Sequence, residues 1–378
     1  MSDCGRSSEQ LAMINISDYN KELWQEMRQP LSVTFELTSR CNFSCVHCYL
    51  GQHRKEKDEL TTAQIKSILD QLSTAGVLFV TFTGGECLLR ADFFEIYMYA
   101  KRLGFMVCLF TNAYTLKDKH FELFRTYPPF FVDVSIYGAS DETYLEVTGV
   151  HNAFARVMKN CLLLKKYGIA FGVKTPLFRQ NIADYEKMCA IAKQLDVKYR
   201  FAFALSPTID HEYYPTTFMV RPEAMIRLEA EDPVYREMGE NYASVENNWG
   251  RAFDNGKFVP LFICNPGVND LFIDYHGRAM PCASFRSAAI SMFTIPFEEI
   301  WERFSVYKKI PASSHYRCMR CESRYYCRVC PADQLQYNGD YESVDPMVCA
   351  HAHARKRLFK DHMPITDVIR LLETEEDK

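Results

Sequence analysis

The chain has 378 residues, a net charge of −4, 48% hydrophobic and 24% charged residues, the balance of a globular protein with apolar mass for two or three domains. That charge gives no electrostatic footprint for nucleic acid or an anionic membrane. The first ten residues hold no apolar core of a signal peptide and no run of about eighteen apolar residues follows. A cytoplasmic, soluble protein is expected. In that compartment fifteen cysteines point to metal or catalysis rather than to disulfides.

Residues 1–30 carry no motif beyond a short helix expected over Asp18–Met27. From Leu31 apolar runs alternate with amphipathic segments, starting with a buried strand over Leu31–Thr38. Ile65, Ile68, Leu69 and Leu72 recur at helical spacing behind Thr61 or Thr62 as N-cap. Further strands are predicted over Val77–Thr83, Phe105–Thr111, Phe130–Tyr137, Ile169–Leu177 and Tyr199–Ser206. Helices are predicted between them, over Ala91–Leu103, Leu116–Arg125, Asn152–Tyr167 and Ala183–Leu195. Six strands in βα alternation predict an α/β fold with a parallel sheet, and right-handed crossovers curl it into a partial (β/α)6 barrel, short of a complete TIM barrel.

Residues 207–258 break the alternation with prolines from Pro207 to Pro233, a helix at Pro222–Glu231, and turn-rich runs at Asn247–Gly250 and Asp254–Gly256. A cysteine-rich stretch over 259–355 follows, in which Leu271–Met280 reads as a hairpin turning at His276-Gly277-Arg278. The tail, 356–378, reads as one or two short helices split at Pro364, with a solvated acidic end at Glu373–Asp377. The expected domains are thus 1–30, 31–206, 207–258, 259–355 and 356–378.

Cys41, Cys45 and Cys48 fall directly after the first strand, in Cys-x3-Cys-x2-Cys-Tyr. Thiolates suit iron–sulfur clusters, zinc and copper(I). A four-iron cluster needs one ligand per iron, so three cysteines leave one iron open. A structural zinc site wants a fourth ligand, and His47, the one close candidate, is wedged between two thiols at a spacing zinc motifs do not use. Of the scattered cysteines, Cys108, Cys161 and Cys189 read as small buried hydrophobes.

This spacing resembles the signature of the radical S-adenosylmethionine (SAM) enzymes, and the resemblance extends over roughly residues 31–206. It implies that SAM chelates the open iron and that the site forms on loops at the strands' C-terminal ends. By the same resemblance Gly84, Gly85 and Glu86, after the second strand, bind the amino group of SAM. Cys87 stands where relatives usually have Pro. Asn112 and Ser135 lie where relatives contact the ribose and carboxylate, and Thr148-Gly149 replaces the Arg-Gly of many relatives. Lys174, a charge in a buried strand, needs a partner: the carboxylate of SAM or a barrel glutamate such as Glu36.

The second cysteine set, Cys264, Cys282, Cys318, Cys321, Cys327, Cys330 and Cys349, resembles the SPASM extension, whose members hold auxiliary four-iron clusters. The resemblance assigns Cys318, Cys321, Cys327 and Cys349 to an outer cluster and Cys264, Cys282 and Cys330 to an inner one. This chain has two residues, Arg328-Val329, between the last two cysteines of its middle group, where the family has three. The cofactors implied are three 4Fe-4S clusters and SAM. Reductive cleavage of SAM to a 5′-deoxyadenosyl radical would then abstract hydrogen from the substrate.

SPASM enzymes mostly act on peptides, and the runs Lys174–Asn181 and Glu146–Gly149 look like those of maturases for crosslinked peptides. The expected substrate is a ribosomally made precursor peptide, crosslinked through a thioether or C–C bond, with its leader on the SPASM surface or on a separate recognition protein. A flavodoxin or ferredoxin is the expected reductant, and Asp133 and Glu142 are candidate general bases. Two alternatives stand beside this reading: a radical SAM enzyme acting on a tetrapyrrole or other small molecule, and a non-catalytic zinc-binding interaction protein.

Overall fold

The computed structural model describes residues 28–51, 58–210, 217–233, 235–237, 239, 261–262, 264, 267–327 and 329–375. The helix expected over Asp18–Met27, the turn-rich runs at Asn247–Gly250 and Asp254–Gly256, Arg328 and the last residues of the acidic tail lie outside them. In chain order the elements are β1 (Ser32–Thr38), α1 (Thr62–Thr74), β2 (Phe79–Gly84), α2 (Phe93–Arg102), β3 (Met106–Thr111), α3 (Asp118–Thr126), β4 (Phe131–Ser135), α4 (Asp141–Thr148), α5 (Ala153–Lys166), β5 (Phe171–Pro176), α6 (Tyr185–Leu195), β6 (Tyr199–Ala202), α7 (Pro222–Glu231), β7 (Asp270–Ile273), β8 (Arg278–Met280), β9 (Ile290–Ser291), α8 (Phe297–Phe304), α9 (Pro331–Asn338), α10 (Pro346–Arg355) and α11 (Ile365–Glu375).

By their contacts the described residues fall into two units, one within 5–218 and 264–306, the other within 219–263 and 307–378. The cysteine-rich stretch is divided between the two, since Cys264–Val306 belongs with the strands.

In the first unit β1 to β6 pair in parallel, each beside its predecessor. The alternation of β1 explains its place. Val33, Phe35 and Leu37 are fully buried on the face toward the helices, and Thr34, Glu36 and Thr38 point the other way, into the barrel. Helix α1 starts at a capping box in which Thr61 accepts from the Gln64 amide and Gln64 reaches back to the Thr61 amide. Its stripe of Ile65, Ile68, Leu69 and Leu72 is buried as the spacing predicts, each side chain contributing about 1.5–3 kcal/mol.

Strand β9 and helices α8, α9 and α10 go beyond the predicted elements, and so do two features of the barrel. Helix α4 was not expected. Its local signals are Ser140, which accepts from the Thr143 amide, and Gly149 at φ 72°, which ends it. The hairpin over Leu271–Met280 forms as β7 and β8, with Phe272 opposite Met280, but β7 also pairs in parallel with β1, Thr34 facing Phe272. Among the described residues one sheet thus runs β6-β5-β4-β3-β2-β1-β7-β8-β9, and the cysteine-rich segment supplies part of the barrel's sheet.

The second unit packs around Ile226 of α7, Ala354 of α10, Val368, Ile369 and Leu372 of α11, and Tyr326 and Phe359. Buried in it is an ion pair. Arg355 donates through Nε to Oε2 of Glu229 at 2.8 Å and through Nη1 to the Tyr326 carbonyl at 3.1 Å. His351 Nε2 lies 3.1 Å from the same Glu229 oxygen. Burial alone would raise the Glu229 carboxyl, but the bonds from Arg355 and His351 outweigh it and hold the group down to about 2.

Candidate active site

A cavity of about 500 Å³ opens in the first unit, and its wall brings together residues from seven separate stretches of chain. Cys41, Cys45 and Cys48 line it with His47 and Tyr49, as do Gly84 and Gly85, Asn112, Ser135, Lys174 and Cys282.

The cysteine loop is fixed by backbone on either side of Cys45. The Ser44 amide donates to the Thr148 carbonyl at 2.8 Å and the Val46 amide to that of Val147 at 3.0 Å, which ties the loop to the last turn of α4. Asn112 Nδ2 donates to Asn42 Oδ1 at 3.0 Å and lies 3.9 Å from Cys41 Sγ. Tyr137 sits close to all three thiols. Its phenol is pushed well above its usual value by burial first, then by Cys45, Cys41 and Cys48. His47 packs between Phe178 (4.7 Å) and Tyr137 (5.3 Å). Among the described residues no three His, Cys, Asp or Glu side chains converge on the geometry of one metal ion. A cubane asks something different, one thiolate for each separate iron, and three thiols around one cavity fit it.

The glycine turn has a structural explanation as well as the expected one. A Cβ on Gly84, which sits at φ +132°, would lie 2.2 Å from the Thr38 carbonyl oxygen, and one on Gly85 2.3 Å from that of Arg40. The Gly85 and Glu86 amides donate to the same two carbonyls, each at 2.8 Å. What approaches the glycines closely is therefore the chain's own route from β1 into the cysteine loop, and their bare backbone still faces the cavity.

Glu86 is placed differently from its two neighbours. It is 1% exposed and lies behind the cavity wall. Its carboxylate accepts from the Thr111 hydroxyl (2.9 Å), the Asn112 amide (2.8 Å) and the Leu88 amide (3.2 Å), so it fixes the end of β3 instead of lining the cavity. Burial pushes it up to about 7. Cys87 is fully buried, with Sγ near the Phe110 carbonyl and Glu86. Of the scattered cysteines Cys161 is fully buried, as expected, while Cys108 and Cys189 are only half-buried.

Lys174 does not meet Glu36, the barrel glutamate the sequence offered as a partner. Its Nζ meets Asp133 at 3.2 Å, and Arg200 of β6 donates to the same carboxylate oxygen. Burial draws the Lys174 ammonium down to about 8 against the pull of Asp133. Asp133 Oδ1 is buried with no hydrogen-bond partner among the described residues, while Glu142, the other candidate base, is exposed in the first turn of α4.

Glu36 is instead bound by Arg286, whose Nη2 donates to Oε1 at 3.2 Å, and by the Tyr49 hydroxyl. The guanidinium lies 5.5 Å from the centres of the Tyr49 and Phe272 rings. Burial pushes the Glu36 carboxyl up despite these donors. Sequence reasoning missed Arg286 because the pairing spans 250 positions. The one local signal was a lone charge, Glu36, in an otherwise uncharged strand.

Residues 35–192 match the family model of the radical SAM superfamily. The chain carries a radical SAM domain. An AdoMet-dependent heme synthase of Methanosarcina barkeri is 29% identical over 343 residues, which cover 86% of this chain and 98% of that protein. The antilisterial bacteriocin subtilosin biosynthesis protein AlbA of Bacillus subtilis is 27% identical, over 83% of this chain and 70% of its own length. In fold the chain is similar to Streptococcus suis SuiB bound to its precursor peptide SuiA, with a TM-score of 0.65 at 15% identity over 91% of this chain and 82% of that one. The protein is a radical SAM enzyme, and its α/β fold with a parallel-dominated sheet is the one such enzymes use.

The second unit holds five of the seven cysteines of the second set. Cys318, Cys321 and Cys349 line a separate cavity of about 470 Å³. Cys327 is raised to about 11 by burial and, after that, by its closeness to Cys318, Cys349 and Cys321. These four thiols are therefore mutual neighbours, which fits a cluster held by four cysteines. Cys330 is the N-cap of α9 in this unit. Cys264, in the first unit, is exposed. Among the described residues no helix is long and apolar enough to cross a membrane.

Proposed function

We propose that this radical SAM enzyme acts on a ribosomally made precursor peptide, joining or oxidising its residues, with the SAM cluster on Cys41, Cys45 and Cys48. Two auxiliary clusters complete the reading, an outer one on Cys318, Cys321, Cys327 and Cys349 and an inner one to which Cys282, on the wall of the SAM cavity, contributes a thiolate. The observation that carries it is the single cavity shared by the three thiols, the glycine turn, Lys174 and Cys282. When bound there, the cluster and SAM supply the 5′-deoxyadenosyl radical.

The chain's own residues then do the remaining work. Gly84 and Gly85 present backbone to SAM, and Asn112, held by Glu86 through its amide, and Ser135 offer polar side chains beside it. Lys174 offers a cation for its carboxylate. The apolar wall of Phe43, Phe110, Leu271 and Phe272 excludes water from a reactive radical. About 500 Å³ is a pocket of ordinary ligand size.

AlbA's role in subtilosin biosynthesis and the SuiB–SuiA complex support a peptide substrate. A second reading, a tetrapyrrole substrate, is favoured by the similarity that runs over 98% of a heme synthase. Anaerobic incubation with SAM, a strong reductant or reduced flavodoxin, and either a co-expressed neighbouring short peptide or an iron porphyrin separates the two. The peptide reading expects 5′-deoxyadenosine together with a peptide lighter by two hydrogens. Turnover of the porphyrin with an unchanged peptide would replace it. Zinc without sulfide in the purified chain would remove both.

A further inference from the structure

The second unit contains a histidine that the cluster assignment does not use. His353 stands one helical turn beyond Cys349 on α10, so the two share a face, and it lines the same cavity as Cys318, Cys321 and Cys349. Its Nδ1 lies 2.9 Å from the Ser323 hydroxyl, and its side chain hydrogen-bonds the Cys321 sulfur. Ser323 is fully buried, two residues after Cys321, in the 3-10 turn region that carries the cysteines. When the Ser323 hydroxyl donates to Nδ1, the single proton of a neutral imidazole resides on Nε2 as a donor.

We propose that His353 is a positioning residue of the outer auxiliary cluster, donating a hydrogen bond to the Cys321 thiolate with its ring fixed by Ser323, and so setting that cluster's potential above the value four bare thiolates would give. This rests on the reading of Cys318, Cys321, Cys327 and Cys349 as cluster ligands. A donor to a ligating sulfur withdraws charge from the iron and stabilises the reduced state, one of the chief ways a protein tunes such clusters. Arg317 and Arg357 at the rim of the cavity add positive charge. Lys356 is balanced by Asp361 at 3.2 Å and Glu322 at 3.6 Å. A raised potential makes the outer cluster an electron acceptor, the role a product radical requires when it is oxidised by one electron to a closed-shell product.

The test uses the full chain, reconstituted anaerobically and titrated potentiometrically while its reduced clusters are followed by electron paramagnetic resonance. The signal lost in C349A marks the outer cluster. In H353F that signal is expected to keep its iron and move to a more negative midpoint potential. H353Q, which restores an N–H donor, recovers part of the shift, and S323A gives a smaller shift in the same direction. An unchanged midpoint in H353F at full iron content overturns the inference and leaves the ligand assignment standing. Loss of the cluster's iron in H353F would make His353 a ligand and overturns it too. A wild-type chain with clearly fewer than about twelve irons (three four-iron clusters) and no signal that depends on Cys349 would overturn the ligand assignment itself, and the inference with it.

Discussion

Nζ of Lys174 on β5 lies 3.2 Å from Oδ2 of Asp133 on the neighbouring β4, and 3.0 Å above the centre of the Phe110 ring. The barrel wall thus presents one cation to the cavity, held at its base by a buried carboxylate and on one side by an aromatic face. That placement makes its protonation state consequential.

Burial draws the Lys174 ammonium from 10.5 to about 8, so the cavity loses this charge as pH rises through that value. The affinity for SAM, measured anaerobically on the reconstituted chain, is expected to fall between pH 7 and pH 9. K174A should lose on the order of tenfold in affinity at pH 7, the worth of one charge-assisted hydrogen bond, and should flatten the pH dependence. An unaltered affinity and slope in K174A would remove Lys174 from the cofactor site.

The three cysteines around the cavity each serve a different iron in the proposed cluster. C45A is therefore expected to lose about four irons per chain and all formation of 5′-deoxyadenosine, with the far-ultraviolet circular dichroism retained. Iron and sulfide analysis beside product chromatography checks both at once. Retained SAM cleavage in C45A would end the radical reading of this site.

Gly85 has no room for a side chain, since a Cβ would stand 2.3 Å from the Arg40 carbonyl oxygen and 2.5 Å from that of Ser39. Both atoms are backbone at the entrance to the cysteine loop and cannot swing away. G85A is expected to cost about 1–3 kcal/mol in strain, seen as a lower melting temperature, and to reduce SAM cleavage more than tenfold because the loop must shift. G104A offers the contrast. A Cβ there meets nothing within 4 Å, and although φ is +90° the strain is remote from the site, so SAM cleavage per folded chain should be unchanged.

The Glu229–Arg355 pair predicts an acid-sensitive second unit. Native Glu229 ionises at about 2 where the free carboxyl does so at 4.5. Its contribution to stability is complete above pH 4.5 and is lost as pH falls from there toward 2. Denaturant unfolding between pH 6 and 3 should show this decline in the wild type and a shallower one in E229Q. E229A, which leaves Arg355 buried without its carboxylate, should destabilise by about 3–5 kcal/mol. An E229A chain as stable as the wild type would mean that Arg355 finds water or another acceptor.

What was legible in the sequence was whatever a short window encodes. The βα alternation follows from the spacing of apolar residues, so β1 to β6 and the buried stripe of α1 appeared where the periodicity put them. The cysteine triplet and the glycine turn were equally readable, because a cluster's ligands and a tight approach of backbone demand particular residues at fixed intervals. The α4 helix escaped because its eight residues are too few for periodicity to speak, although Ser140 and Gly149 marked its ends. Through-space pairings were left to the tertiary structure. It joined β7 to β1, gave Lys174 to Asp133 and Glu36 to Arg286, turned Glu86 behind the cavity wall and set His353 against Cys321. A buried charge announces in sequence that it needs a partner. Which partner it takes depends on which strands and loops are neighbours, and that is decided only when the whole sheet and its packed helices have closed.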